Sequence, residues 1–327
     1  MGMLVDGVWR DDNEALVDED GRLQRPSSVF RNWVTADGAP GPNGDGGFRA
    51  EPGRYHLYIA RACPWAHRAA IFRELKGLQD MIGLSVTHWL MAEDGWTFAD
   101  GPGVIPDTVE GADTVWQLYV KSDPTYTGRV TVPVLWDTQT SRMVSNESAD
   151  IIRMFNSAFD AVGAADGDFY PEVLRGEIDA VNERVYDGLN NGVYKAGFAK
   201  RQAAYDEAVA GVFDTLDWLE SRLAGQRYLV GDTLTEADWR LFTTLLRFDA
   251  VYHGHFKCNR RRIVDYPALW AYTRRLHAHP AVAPTVDMDH IKRHYYQSHR
   301  HINPTGIVPE GPALDFSLDD DAPRKAR

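Results

Sequence analysis

The chain has 327 residues, enough at about 150 residues per domain for two domains and a sizeable core. Hydrophobic residues make up 44% and charged residues 25%, ordinary globular proportions that exclude wholesale disorder. Lys and Arg number 35 against 47 Asp and Glu, and this net charge of −12 argues against nucleic-acid and anionic-membrane partners.

At the N-terminus, Met1-Gly2-Met3-Leu4-Val5-Asp6 lacks the basic and long apolar segments of a secretory signal, and Asp6 stands where myristoylation needs Ser or Thr. Residues 1–53 read as a loop-rich extension draped over the first domain, with a Gly/Pro cluster at 38–47 that contains no dinucleotide-binding GxGxxG. Tyr55-His56-Leu57-Tyr58-Ile59-Ala60 predicts a strand. Cys63-Pro64 then opens a helix that ends at Gly77, with Pro64 in the first turn, where its missing N–H costs nothing. Further strands are predicted over 84–90, over 130–137 with Pro133 marking an edge, a bulge or a cis bond, and over 143–145. A helix follows from 149, with Ser148 as its cap. This order gives an α/β domain with mixed strand directions over 54–160.

Strand signals then vanish. Apolar spacing predicts helices over 172–190, 203–224, 235–252, 267–278 and 288–299, an all-helical domain over 170–308. Thr235-Glu236-Ala237-Asp238 has the shape of a capping box. The longest basic run, Arg260-Arg261-Arg262, reads as a solvated cluster, and the Pro- and Asp-rich residues 309–327 as a tail. No apolar stretch is long enough to span a bilayer, and two cysteines, Cys63 and Cys258, make no disulfide scaffold; the expected address is the reducing cytoplasm.

Cys63 is the sharpest chemical feature. On a strand-to-helix turn, free N–H groups and the helix dipole favour the thiolate, which is the nucleophilic form. Ala66 stands where a Cys-x-x-Cys enzyme keeps its second sulfur, so a disulfide formed at Cys63 needs an external thiol, and glutathione is the obvious cytosolic one. The bland alternative is a buried free cysteine. Glu147 and Ser148, at a helix start, can hold the two ends of a small zwitterion or simply cap. His253-x-His255-x-x-Cys258 has metal-like spacing but only three local ligands, so no metal is expected.

The chain resembles the glutathione transferases, and more closely the glutathionyl-hydroquinone reductases, or Xi class. The resemblance is carried by Phe30-Arg31-Asn32-Trp33, Cys63-Pro64-Trp65-Ala66-His67-Arg68, Asp94-Gly95-Trp96-Thr97-Phe98, Gly128-Arg129-Val130-Thr131-Val132-Pro133, Ser145-Asn146-Glu147-Ser148, Asn190-Asn191-Gly192-Val193-Tyr194, His255-Phe256-Lys257-Cys258 and Ile302-Asn303-Pro304-Thr305-Gly306.

The resemblance implies an α/β thioredoxin-like N-terminal domain plus an all-α C-terminal domain, the glutathione transferase fold, with a cis-proline at Pro133 beside the cysteine. It implies that Cys63 is the nucleophile and that Trp96, Arg129, Val130, Val132, Glu147 and Ser148 hold glutathione as co-substrate. Tyr194 would be the proton donor, and Tyr252 and Tyr295 would lie near the sulfur, Tyr295 rather than Tyr296 facing the site. It further implies a homodimer and the reduction of glutathionyl-hydroquinones through a Cys63–glutathione disulfide. Neighbouring readings are an omega-like thioltransferase or dehydroascorbate reductase, a conjugating transferase, and a binding protein without turnover.

Overall fold

In the computed structural model, which describes residues 2–11 and 17–318, the chain opens on a hairpin of β1 (Met3–Val5) and β2 (Val8–Arg10). Asp6 and Gly7 turn it with φ of +49° and +74°, the paired left-handed conformation of a tight hairpin whose twist matches its strands. The first large unit follows as β3 (Tyr55–Ile59), α1 (Pro64–Leu75), β4 (Ile82–Val86), α2 (Val115–Ser122), β5 (Gly128–Arg129), β6 (Val134–Asp137), β7 (Arg142–Ser145) and α3 (Ser148–Ser157). Its four-stranded sheet has the order β4-β3-β6-β7, with β3 and β4 parallel and the other neighbours antiparallel. Every residue of β3 is buried, which explains why its sequence is an unbroken apolar and aromatic run.

Several boundaries differ from the sequence pattern. The strand expected over 84–90 is Ile82–Val86, because from Thr87 the chain leaves the sheet and the His88 N–H donates to the Thr97 carbonyl. The strand expected over 130–137 is only Val134–Asp137: residues 130–133 lie in no strand, and Pro133, cis to Val132, has no N–H to give a ladder. Before that stretch, β5 joins the other sheet, of order β2-β1-β5; after it, β6 enters the central one. The cap of α3 is Glu147 rather than Ser148: Glu147 has extended backbone and accepts the Ala149 N–H, whereas Ser148 is already helical. The extension is not merely draped, since Leu4, Val34 and Phe48 are all buried in the core.

The helical unit comprises α4 (Arg175–Val185), α5 (Gly192–Phe198), α6 (Gln202–Gly225), α7 (Glu236–Arg247), α8 (Pro267–His277) and α9 (Met288–Ser298). A π-helical turn, Tyr186–Asn190, links α4 to α5, and a second, Phe248–Tyr252, continues α7. The capping box starts α7 as expected, with the Thr235 N–H donating to Asp238 Oδ2 at 2.8 Å. Helices α1 and α7 pack together and join the two units, helped by the ion pair of Arg153 with buried Glu236 at 2.8 Å. No helix of the described residues is long and apolar enough to cross a membrane. Residues 319–327 of the expected tail lie outside the described residues; the preceding segment packs Phe316 against His277 and Trp270.

Candidate active site

Cys63 is the N-cap of α1. Its backbone N–H turns back to the Ala60 carbonyl, Pro64 takes the first helical position, and the half-buried thiol donates to the Val132 carbonyl at 3.4 Å. Val132 lies between β5 and β6, in neither sheet. The Ala66 and Trp65 N–H groups and the Arg247 and Arg25 guanidinium groups pull the thiol toward ionisation, but burial outweighs them and raises it above its ordinary value. The helix-start effect expected from the sequence is therefore present without setting the net direction.

The sulfur opens into a cleft of about 430 Å³ between the two units. Trp96, Arg129, Val130, Val132, Glu147 and Ser148 line it from the first unit, and Tyr194, Phe198, His294, Tyr295 and His299 from the helical unit. Of the residues that the resemblance assigns to catalysis or glutathione binding, only Tyr252 stands off the cleft wall. It is fully buried behind Tyr295 and shares a hydroxyl hydrogen bond with it at 3.1 Å. Tyr295 in turn shares a short hydroxyl bond with Tyr194. Tyr296 faces away and donates to the Ala250 carbonyl. Burial drives all three linked phenols upward, and the charge that Cys63 would carry adds to the rise at Tyr194 and Tyr252, so Tyr252, Tyr295 and Tyr194 form a row of neutral, hydrogen-bonded phenols.

On the first unit, Glu147 accepts the Ala149 N–H at 3.0 Å with one oxygen and the Ser28 hydroxyl at 2.9 Å with the other. Arg129 is half-buried and donates to the Gly2 carbonyl at 3.2 Å. Trp96 stacks on His294, with ring centres 4.7 Å apart. His294 is held neutral by burial, down to about 4, and contacts the Trp89 carbonyl through Nδ1 at 2.8 Å.

Sequence reading missed the extension's share of this site. Gly2, Trp9 and residues 23–29 line the cleft, and Arg25 lies 4.2 Å over the Trp65 ring. His294 and His299, which read in the sequence as local hydrogen-bonders, do make such bonds and also line the cleft. His255, suspected of metal spacing, instead bonds His299 through its ring at 3.2 Å, while Cys258 is buried; among the described residues no cluster of three or more His, Cys, Asp or Glu is placed to hold a metal.

Residues 62–158 match the family described as glutathione S-transferase, N-terminal domain, and residues 202–275 that of the C-terminal domain. The chain is 56% identical over 313 residues to the glutathionyl-hydroquinone reductase PcpF of Sphingobium chlorophenolicum, a match covering 96% of this chain and 97% of that one. The chain belongs to the glutathionyl-hydroquinone reductases of the glutathione transferase family. YqjG of Escherichia coli K12, also described as a glutathionyl-hydroquinone reductase, is 57% identical with 97% of each chain covered. The solved structure of YqjG with glutathione bound superposes with a TM-score of 0.89, at 55% identity and covering 96% of both chains. A Xi-class transferase from Natrialba magadii superposes with a TM-score of 0.90 at 47% identity, covering 98% of this chain and 96% of that one. The N-terminal match takes in Cys63 and the strands β4, β6 and β7 but begins after β3, and the C-terminal match lies within the helical unit, where it includes Tyr252 but neither Tyr194 nor Tyr295.

Proposed function

We propose that this chain reduces glutathionyl-hydroquinones to hydroquinones with glutathione as co-substrate. The observation that carries this reading is one sulfur, Cys63, sharing a cleft with the phenol Tyr194, while the only other cysteine, Cys258, is buried away from it. The cleft therefore suits a disulfide that must be discharged by a second small thiol.

In the first half-reaction the Cys63 sulfur attacks the glutathionyl sulfur. An S–S bond forms, the carbon–sulfur bond breaks, and its electron pair stays with the ring. An aryl carbanion is a poor leaving group, but the keto tautomer of the hydroquinone lets a carbonyl accept the pair as an enolate. Tyr194 supplies the ring-carbon proton, and Tyr295 and Tyr252 share the charge left on it through their hydroxyl chain. The proton lost from the Cys63 thiol balances the one placed on carbon. In the second half-reaction glutathione attacks the Cys63–glutathione disulfide, releasing oxidised glutathione and restoring the thiol.

Glutathione fits the other side of the cleft by its chemistry. The Glu147 carboxylate suits an ammonium group, the Ser148 N–H and hydroxyl at the start of α3 suit a carboxylate, and Val132 offers backbone groups for an extended peptide. Arg129, Val130 and Trp96 complete that wall. In this reading residues 54–160 form the glutathione-binding domain and 170–308 the domain for the aromatic ring, with 1–53 an extension and 309–327 a tail. The enzyme works in the cytoplasm as a homodimer. The test is mass spectrometry of the protein mixed with a glutathionyl-hydroquinone. A glutathione adduct on Cys63 that added glutathione clears is expected; turnover without such an adduct overturns the reading.

A further inference from the structure

Arg247, the last residue of α7, is fully buried, and no carboxylate pairs with it among the described residues. Its Nε donates to the Ala62 carbonyl at 2.8 Å and one terminal nitrogen to the Arg61 carbonyl at 2.9 Å. The other terminal nitrogen donates to the Thr243 carbonyl at 2.8 Å and meets His67 Nδ1 at 3.0 Å. The tautomer of His67 follows from the next contact. Thr285 gives its hydroxyl proton to the Val282 carbonyl at 2.6 Å, so at 2.8 Å it accepts from His67 Nε2. That leaves Nδ1 as an acceptor for Arg247 and makes His67 neutral.

Arg61 and Ala62 are the two residues before Cys63, so a side chain from the helical unit clamps the turn that presents the sulfur. A guanidinium taken out of water normally has a carboxylate beside it, because an unpaired buried charge is costly. Here only neutral acceptors surround it, so its charge remains available to the nearest group that can become an anion.

We propose that Arg247 is a positioning residue for the proposed thiol chemistry: it fixes the turn bearing Cys63 and supplies the buried, uncompensated positive charge against which the Cys63 thiolate forms. This rests on Cys63 being the nucleophile. Around the sulfur stand Arg25 from the extension, Tyr194 from α5 and Tyr295 from α9, with Tyr252, from the turn after α7, buried behind Tyr295. Of these only Arg25 is cationic, and it is exposed to solvent, where its charge is screened. Burial raises the thiol, and Arg247 is the foremost side chain opposing that rise.

The experiment is the rate of Cys63 alkylation by iodoacetamide against pH, read by peptide mass mapping on the full chain, for wild type, Arg247→Met, Arg247→Lys and His67→Glu. Arg247→Met removes the charge, and its midpoint should rise by about one pH unit, a loss of about tenfold in rate at neutral pH. His67→Glu keeps Arg247 and its carbonyl bonds but sets a carboxylate against it, and should raise the midpoint likewise. Arg247→Lys keeps the charge and should hold the midpoint near wild type. A folded Arg247→Met or His67→Glu with the wild-type midpoint overturns the proposal. Should neither fold, an Arg247→Lys protein whose midpoint rises by about one unit overturns it, and one that stays put supports it. A wild-type Cys63 that takes up no glutathione from substrate removes the parent reading instead, whatever the variants do.

Discussion

The hydroxyls of Tyr194 on α5 and Tyr295 on α9 share a short hydrogen bond at the wall of the cleft, 101 residues apart in sequence. The bond pins the phenol proposed as proton donor by a partner that itself leans on Tyr252. A proton donor to carbon matters only when the leaving group is carbon. Tyr194→Phe should therefore lower kcat on a glutathionyl-hydroquinone by about 10²–10⁴-fold, while exchange with a simple glutathione mixed disulfide, whose leaving group is a thiolate, stays near wild type. Tyr295→Phe removes its hydroxyl bonds to both Tyr194 and Tyr252; losing the one that supports Tyr194, worth about 1 kcal/mol, should cost roughly fivefold on the carbon substrate alone. Steady-state rates on both substrates check this. Equal losses on both would show that the phenols serve the sulfur rather than the ring.

The N-terminal hairpin should matter to the site as well as to stability. Leu4 is fully buried on β1, and β1 pairs with β5, placing Met3 opposite Arg129. Leu4→Ala should cost about 2–5 kcal/mol on the large-to-small scale. Loosening β1 also loosens Arg129, which donates to Gly2, so KM for glutathione should rise more than kcat falls. Thermal melts and glutathione titrations of the variant measure both. A lowered melting point with an unchanged KM would leave the hairpin a structural element only.

Much of this architecture is legible in the sequence because it is local. Cys63-Pro64 after an apolar strand places a thiol at a helix start, and Thr235 with Asp238 announces α7. The hairpin is written locally too: Asp6-Gly7 between Leu4-Val5 and Val8-Trp9 is a strong short-range turn signal. Other features were not written locally. The share of residues 23–29 in the cleft, the Trp96–His294 stack and the clamp of Arg247 on Arg61 and Ala62 join residues far apart in sequence, and no periodicity encodes them. The direction of the Cys63 shift is not legible for a related reason. A helix start is visible in sequence, whereas the burial that outweighs it comes from elements far along the chain.

Arg25 gives the extension a second role. Its guanidinium lies 4.2 Å over Trp65, whose ring is also 4.5 Å from the buried Arg68 guanidinium. Arg25 thus closes the aromatic end of the cleft with a contact of about 0.5–1 kcal/mol, as befits an exposed cation on a ring. Arg25→Ala should raise KM for the hydroquinone conjugate about two- to fivefold and leave KM for glutathione in the second half-reaction unchanged. Ping-pong kinetics allow the two constants to be read separately. Parallel rises in both would place Arg25 on the glutathione side instead.

Acid should weaken this fold earlier than carboxylate protonation alone would. Burial holds His56, His255 and His294 down to about 4, and His67 and His299 well below their ordinary value of 6.5. Unfolded, each imidazole takes up a proton near 6.5; folded, it does so only around 4 or below. Between those values the unfolded chain binds more protons, so stability is full above 6.5 and drains away as pH falls. At about pH 5.5 each such group costs about 1 kcal/mol, and together they cost several. Scanning calorimetry should show a melting temperature distinctly lower at about pH 5.5 than at about pH 7.5. His56 lies off the cleft, bonded to Ser85 at 2.8 Å, so His56→Gln tests one share of the effect without touching the site. Its drop between those pH values should be smaller than wild type by about 1 kcal/mol. A drop of wild-type size in that variant, or none in wild type, would mean that water reaches and protonates these rings in the folded chain.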